Sequence, residues 1–185
     1  MSALTVYQES NPQAVLKHSE DYMEIAEALA CVGIRFERWE ATQAITADTP
    51  ADTILDAYRA QIDELRATEG YITVDTISLA ADNPMKDELR QKFLSEHTHS
   101  EDEVRFFVRG EGVFYLHIED QVYQVHCCKD DLISVPANAR HWFDMGPNPD
   151  FTAIRFFNNP DGWETIPVMR LPMDFQNLMA DLAGS

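Results

Sequence analysis

Residues 104–118, VRFFVRGEGVFYLHI, are the stretch that indicates the fold. Val104–Val108 and Val113–Ile118 are rich in β-branched and aromatic residues, and Arg109–Gly112 between them has the glycines of a turn. Further short apolar runs follow as far as Phe157, and polar or proline-containing turns separate them. Many short strands at near-regular intervals are typical of an antiparallel barrel or sandwich.

The stretch immediately before these strands, HTHSEDE at residues 97–103, has the composition of a metal site. In an extended segment His97 and His99 point the same way, and Glu103 can reach the same point from the next strand. Together with the distant His141, they offer three imidazoles and one carboxylate, which suit iron, nickel, manganese or zinc. Taken alone, a chance His-x-His pair beside a solvated acidic turn explains the stretch equally well. The strands downstream favour the metal site.

Alternation along the strands assigns their faces, because side chains two residues apart point the same way. If Glu103 points into the barrel, Arg105 and Phe107 do so too, while the residues between them pack outward beneath helices. By the same rule, an inward His141 brings Phe143 with it. An arginine inside an apolar barrel needs a partner. For Arg105 we favour a bound anion, with an ion pair to a neighbouring acid as the alternative.

Two motifs of this chain resemble those of the cupin superfamily. His97-x-His99-x3-Glu103-x6-Gly110 is similar to the first cupin motif, and Pro136-x-Asn138-x2-His141 is similar to the second, with Asn138 in place of a glycine. The longer text around both motifs closely resembles the bacterial type of the acireductone dioxygenase family, from about residue 33 to residue 163. This resemblance implies a mainly β cupin barrel (a double-stranded β-helix or jelly roll) with several flanking α-helices, mostly N-terminal.

The resemblance also implies a site. Four residues would bind one divalent metal, Fe2+ or Ni2+: His97, His99, Glu103 and His141. Arg105, joined by Arg155, would offset the negative charge of the substrate, with a structural role as the alternative for Arg155. Four aromatic side chains are expected to contact the substrate: Phe93, Phe107, Phe143 and Trp163. For each of these aromatics, ordinary packing is the alternative.

In the resembled family the substrate is acireductone, 1,2-dihydroxy-3-oxo-5-(methylthio)pentene, which is cleaved with O2 in methionine salvage. The iron form gives 4-methylthio-2-oxobutanoate and formate, and the nickel form gives 3-methylthiopropanoate, formate and carbon monoxide. Two alternatives belong to other classes of protein. One is a cupin sugar isomerase or epimerase, whose turnover consumes no oxygen, and the other is a non-catalytic metal-binding cupin.

Length and composition set the outer bounds. We expect one domain over residues 1–185: a helix-and-strand part at about 1–93, the metal-binding barrel at about 94–160 and a tail at about 161–185. A formal net charge of −18 argues against nucleic acid as a partner and mildly favours a monomer. No stretch has the roughly 18 apolar residues of a membrane span, so we expect no membrane partner and a cytoplasmic protein.

The part before the barrel is expected to be largely helical and supportive. The pattern predicts a helix at 21–30 capped by Ser19 and ended by Gly33, a strand at 34–39 and a helix at 53–67 with Tyr58 in the core. A strand at 71–79 follows, and then a short helix at 83–93 that forms a lip of the pocket.

The remaining histidines and the cysteines have simpler expected roles. Both His117 and His126 lie outside the two motifs and are expected to be structural or surface residues. Cys31, Cys127 and Cys128 are an odd number without CxxC spacing. They therefore predict neither a disulfide framework nor a cysteine metal site, and buried packing is expected for all three.

Overall fold

Two antiparallel sheets form the body of the protein. The computed structural model describes residues 1–40, 43–159 and 165–167. In spatial order, the larger sheet contains β12 (Thr165–Pro167), β5 (His97–His99), β10 (Arg140–Asp144), β7 (Glu111–Ile118), β8 (Gln121–Cys128), β1 (Ala3–Gln8) and β2 (Asn11–Ser19). The smaller sheet contains β3 (Arg35–Arg38), β9 (Asp131–Val135), β6 (Glu103–Arg109), β11 (Phe151–Phe157) and β4 (Thr73–Leu79). The predicted mainly β, cupin-like fold is confirmed.

The helices of the described residues lie in the N-terminal half of the chain. They are α1 (Tyr22–Ala30), α2 (Ala51–Ala57), α3 (Arg59–Glu69) and α4 (Lys86–Phe93). Among the described residues, no helix combines the length and the apolar content that a membrane span requires.

The main core contains residues from both sheets, as expected for the interior of a barrel. Phe107 of β6 and Ala153 of β11 belong to the same buried cluster as Phe114 of β7 and Phe143 of β10. The period-two prediction for Phe107 and Phe143 is therefore correct. Alternate positions along each strand face this interior because the pleat directs successive side chains to opposite sides.

A second core lies between the smaller sheet and the helices outside it. Phe106 of β6 contacts Tyr58, with ring centroids 4.8 Å apart, and Trp39, with ring centroids 4.9 Å apart. Tyr58 is completely buried there, as predicted. The other main contributors are Ile54, Ile62, Leu65, Val104, Val108, Ile154 and Phe156. The outward residues of β6 thus pack beneath α2 and α3.

Several N-terminal details differ from the sequence-based expectation. Residues 3–19 form the hairpin of β1 and β2, and β1 extends the larger sheet by pairing with β8. The predicted helix at 53–67 is two helices, because the backbone of Tyr58 leaves helical geometry at φ −111° and ψ 16°. The α1 cap is Asp21, whose carboxylate accepts the amide hydrogen of Glu24, and Ser19 instead bonds to the Glu24 carboxylate. Cys31 is exposed, whereas burial was expected.

Candidate metal centre

Three histidines from two paired strands converge at one end of the barrel. His97 and His99 lie on β5, and His141 lies on β10 directly opposite His97 in the antiparallel ladder. The ring centroids are 4.6 Å apart for His97 and His141, 4.9 Å for His97 and His99, and 5.1 Å for His99 and His141. Strand alternation keeps His97 and His99 on one face, and the register brings His141 to them.

The carboxylate of Glu103 reaches the same point from the other sheet. Its Oε2 atom lies 2.9 Å from Nε2 of His99 and 2.9 Å from Nε2 of His141. All four side chains are buried, and one ligand atom from each lies within 4.8 Å of the others. The four residues that the two motifs singled out are therefore brought together.

Backbone carbonyls orient two of the imidazoles. The Nδ1 atom of His97 is 2.6 Å from the carbonyl oxygen of Ser95, and Nδ1 of His141 is 2.8 Å from that of Ala139. A carbonyl oxygen only accepts, so Nδ1 carries the proton in both rings. In a neutral ring Nε2 then presents its lone pair to the centre.

This donor set fits a divalent cation. If His141 is neutral with its proton on Nδ1, its Nε2 atom is an acceptor, as is Oε2 of the ionised Glu103. These two atoms lie 2.9 Å apart, and that separation is favourable only when they share a proton or a metal ion. Two ligand atoms at right angles on one ion, each about 2.1 Å from it, lie about 3 Å apart. The observed spacing matches that value.

Electrostatics keep the ligands in their metal-binding forms. Burial alone would raise the pKa of the Glu103 carboxyl, but the Arg105 guanidinium and the two neighbouring imidazoles hold that pKa well below its ordinary value. Burial lowers the pKa of His97 to about 4. Near neutral pH the site therefore contains an ionised carboxylate and a neutral His97 imidazole, both of which are good ligands.

Arg105 lies beside the candidate metal ligands and close to three aromatic rings. Its Nε atom is 2.9 Å from Oε1 of Glu103, and its side chain is buried. The guanidinium carbon lies 4.5 Å from the ring centroid of Phe143, 5.3 Å from that of Phe114 and 5.7 Å from that of Phe93. The ion pair with a neighbouring acid, which was the alternative expectation for Arg105, is therefore present, and the guanidinium lies buried next to the candidate ligands.

Arg155 shares the inward face with Arg105 but has a carboxylate of its own. The two arginines are directly opposite each other across β6 and β11, so both point to the same side of the sheet. Arg155 makes two hydrogen bonds to Asp75 of β4, of 2.8 and 2.6 Å, and its guanidinium carbon lies 5.2 Å from the Phe157 ring centroid. Asp75 therefore offsets much of the Arg155 charge locally.

The predicted aromatic contacts line the interior beside Arg105. Phe93, at the end of α4, is partly buried and lies 6.2 Å from Phe143 between ring centroids. Phe107 lies 6.3 Å from Phe143. Trp163 lies outside the described residues. The α4 helix is held against β10, because Arg90 donates two hydrogen bonds of 2.8 and 3.0 Å to Asp144 of that strand.

The loops carrying the two motifs are bonded to each other. The carboxylate of Asp102 accepts the amide hydrogen of Ala137 at 2.9 Å, and the carbonyl oxygen of His99 accepts that of Asn138 at 2.8 Å. Asn138 has φ +65°, a left-handed conformation that asparagine tolerates better than most residues with a side chain. This geometry explains how Asn138 replaces the glycine of the second motif.

Sequence reasoning missed one buried pair next to the ligands. Glu96 directly precedes His97, and its carboxylate lies 2.7 Å from Nδ1 of His117 on β7. Both side chains are buried, so the pair connects β5 to the rest of the larger sheet next to His141. The only local signal was the position of an acid immediately before the first ligand.

Comparison with known proteins identifies the family. A family model described as ARD/ARD' family matches residues 3–165. The acireductone dioxygenase of Enterobacter sp. (strain 638) is 60% identical over 163 residues, which are 88% of this chain and 91% of that protein. The chain belongs to the acireductone dioxygenase family. The acireductone dioxygenase of Stutzerimonas stutzeri (strain A1501) is 59% identical over 163 residues, covering 88% of this chain and 90% of the relative.

A solved structure of the acireductone dioxygenase family has the same fold. The acireductone dioxygenase from Bacillus anthracis, described with a cadmium ion in its active center, superposes with a TM-score of 0.77 at 32% identity. The match covers 90% of this chain and 98% of the other. As a member of the acireductone dioxygenase family, this chain is a metal-dependent dioxygenase with a His/Glu group able to hold the ion.

Proposed function

We propose that this protein cleaves acireductone, 1,2-dihydroxy-3-oxo-5-(methylthio)pentene, with O2, and that His97, His99, Glu103 and His141 bind its single iron or nickel ion. The observation that carries the proposal is the convergence of four buried ligand side chains on one point, with Nε2–Oε2 separations of 2.9 Å. When bound, the ion would orient the enediol and stabilise its ionised form.

Arg105 supplies a local positive charge in a chain that is strongly acidic as a whole. The chain has a formal net charge of −18, so an anionic enediolate is repelled at long range and needs a local cation. Arg105 is buried, so its guanidinium acts in a site of low dielectric where the attraction is strong. We assign Arg105 to the negative charge of the substrate, and Arg155 to support of that charge from the neighbouring strand.

The aromatic side chains around Arg105 have a separate role. Phe93, Phe107 and Phe143 form an apolar surface beside the metal ligands, and such a surface suits the methylthio tail of the substrate. By excluding water, these rings also strengthen the interaction between Arg105 and an anion. Trp163 stays a predicted part of this apolar wall.

The metal decides the products. In the family, the iron form gives 4-methylthio-2-oxobutanoate and formate, so we expect these products from the iron-loaded protein. We expect 3-methylthiopropanoate, formate and carbon monoxide from the nickel-loaded protein. The test is metal analysis of the purified protein, anaerobic mixing with acireductone and then admission of oxygen, with the products separated. Enediol loss that depends on oxygen and disappears in His97→Ala supports the proposal, whereas bound metal without oxygen uptake contradicts it.

The choice of Glu103 as the acidic ligand has its own test. Glu101 lies two residues earlier in the same acidic turn, and substitution there removes an equal charge. Glu103→Ala removes the carboxylate that contacts two of the imidazoles, so it should lose most of the bound metal, whereas Glu101→Ala should retain it. Metal content per chain after gel filtration distinguishes the two variants, and equal contents would refute the assignment.

A further inference from the structure

A second group of metal-binding side chains lies on the outer face of the larger sheet. Glu111 on β7 is directly opposite Cys128 on β8, and Val113 is opposite His126. The intervening Cys127 is completely buried in the barrel interior, so His126 and Cys128 project from the opposite face of β8. Glu111 shares that outer face because opposed residues in an antiparallel ladder point the same way.

Two of the three separations within this group are close to those expected around one tetrahedral ion. Nε2 of His126 lies 3.2 Å from Oε2 of Glu111, and Sγ of Cys128 lies 3.8 Å from the same oxygen. With tetrahedral angles and bond lengths typical of zinc, the nitrogen–oxygen separation is about 3.3 Å and the sulfur–oxygen separation about 3.5 Å. One ligand atom from each residue lies within 4.8 Å of the other two.

We propose that Glu111, His126 and Cys128 form a second cation site, selective for a borderline-soft divalent ion such as zinc. Carboxylate, imidazole and thiolate together are the ligand types that zinc uses in proteins, and the thiolate disfavours hard cations such as magnesium. Three protein ligands leave a fourth tetrahedral position for solvent. Cys128 binds as the thiolate and releases its proton to the solvent.

The site is accessible and separate from the barrel ligands. The side chain of Glu111 is 62% exposed and that of His126 is 34% exposed. Glu111 borders two surface grooves, one of 270 Å³ that also contacts His126 and one of 660 Å³ that also contacts Cys128. An ion can therefore reach the three ligands from solvent without entering the barrel, where the quartet around Glu103 is buried.

A surface ion pair of Glu111 and His126 is the alternative, and the Met1 ammonium beside the Cys128 thiol is a competing cation. An exposed pair between Glu111 and a protonated His126 contributes about 0–1 kcal/mol and needs no thiol beside it. A cation bridging β7 and β8 would use all three groups. A search of the sequence for CxxC spacing would miss this site, because the ligands come from two strands of a hairpin and only His126 and Cys128 are close in sequence.

Cobalt(II) is the probe that separates the two sites, since only the surface site contains sulfur. Purified protein already carrying its own metal in the barrel is titrated with cobalt(II) chloride under anaerobic conditions. We expect about one additional equivalent to bind, with a thiolate-to-cobalt charge-transfer absorption in the near ultraviolet. Cys128→Ser should abolish that absorption, and Glu111→Gln should weaken cobalt binding by about tenfold or more.

Cys31→Ser is the matched control, because Cys31 is a second free cysteine accessible to solvent and lies at the end of α1, away from the cluster. It should leave the cobalt absorption unchanged. Absence of the sulfur absorption in the unsubstituted protein, or its persistence in Cys128→Ser, would overturn the proposal. Oxygen-dependent turnover of acireductone should be the same in Cys128→Ser and the unsubstituted protein, which keeps this result independent of the barrel site.

Discussion

Gly110 joins the strand that carries Glu103 to the strand that pairs with His141, and its replacement by alanine should destabilise the protein sharply. The residue has φ +72°, in the left-handed region that a side chain disfavours. An added Cβ would also overlap the carbonyl oxygen of Asp150 and lie 2.7 Å from Cα of Phe151. These atoms are backbone, so rotation of a side chain cannot relieve the overlap.

The structure contains a matched control for this substitution. Gly146 has the same φ of +72°, but a Cβ added there would have no atom within 4 Å. Gly146→Ala therefore carries only the conformational penalty of about 1–2 kcal/mol. Gly110→Ala carries that penalty and a steric one of about 1–3 kcal/mol, typical of overpacking at a site that cannot relax.

The difference between the two variants is the measured quantity. A separation of about 1–3 kcal/mol corresponds to melting temperatures about 2–12 °C apart for a protein of this size. Thermal unfolding of both variants and of the unsubstituted protein, each loaded with the same metal, gives this difference. If Gly110→Ala and Gly146→Ala unfold at the same temperature, close approach to Asp150 is not what requires glycine at position 110.

Three further results are expected. In chelator-treated protein, the free energy of unfolding should fall by about 2–3 kcal/mol as the pH drops from 6.5 to about 4, because His97 binds a proton at its ordinary pKa in the unfolded chain but only near 4 in the folded protein. Denaturant unfolding at several pH values measures this dependence, and an equally steep dependence in His97→Gln would contradict its origin in His97. Arg105→Gln should lower kcat/KM by about 100-fold or more, and Arg155→Gln should lower it by less because Asp75 already offsets the Arg155 charge. Equal losses in the two variants at unchanged metal content would refute the different roles of the two arginines. Phe106→Ala should cost about 3–5 kcal/mol, since the ring is completely buried, and a loss below about 1 kcal/mol in urea unfolding would count against its core role.

The candidate site was readable from sequence where strand alternation and motif spacing determine it. His97 and His99 lie two residues apart, so any extended conformation puts them on one face. The inward direction of Phe107 follows from Glu103 by the same rule, and the structure confirms it. The distant His141 was assigned through its resemblance to the second cupin motif, because nothing local relates it to the first.

Some N-terminal elements were not predictable from local pattern. In β1, the alternating residues Leu4 and Val6 are completely or almost completely buried. Two such residues are too few to distinguish a strand from a helix or loop. The strand is stabilised by pairing with β8, more than 100 residues away in the chain. Long-range pairing of this kind overrides weak local propensity.

The sequence by itself determined the residue types at the candidate metal centre, the mainly β architecture and the inward faces of the strands that carry Glu103 and His141. These are local properties, because chain geometry and hydrophobic alternation act over a few residues. Tertiary structure alone decided which side chains meet across strands: Arg155 with Asp75, Glu96 with His117, and Glu111 with Cys128. Such partners depend on the register between strands distant in sequence, and packing of the whole core fixes that register.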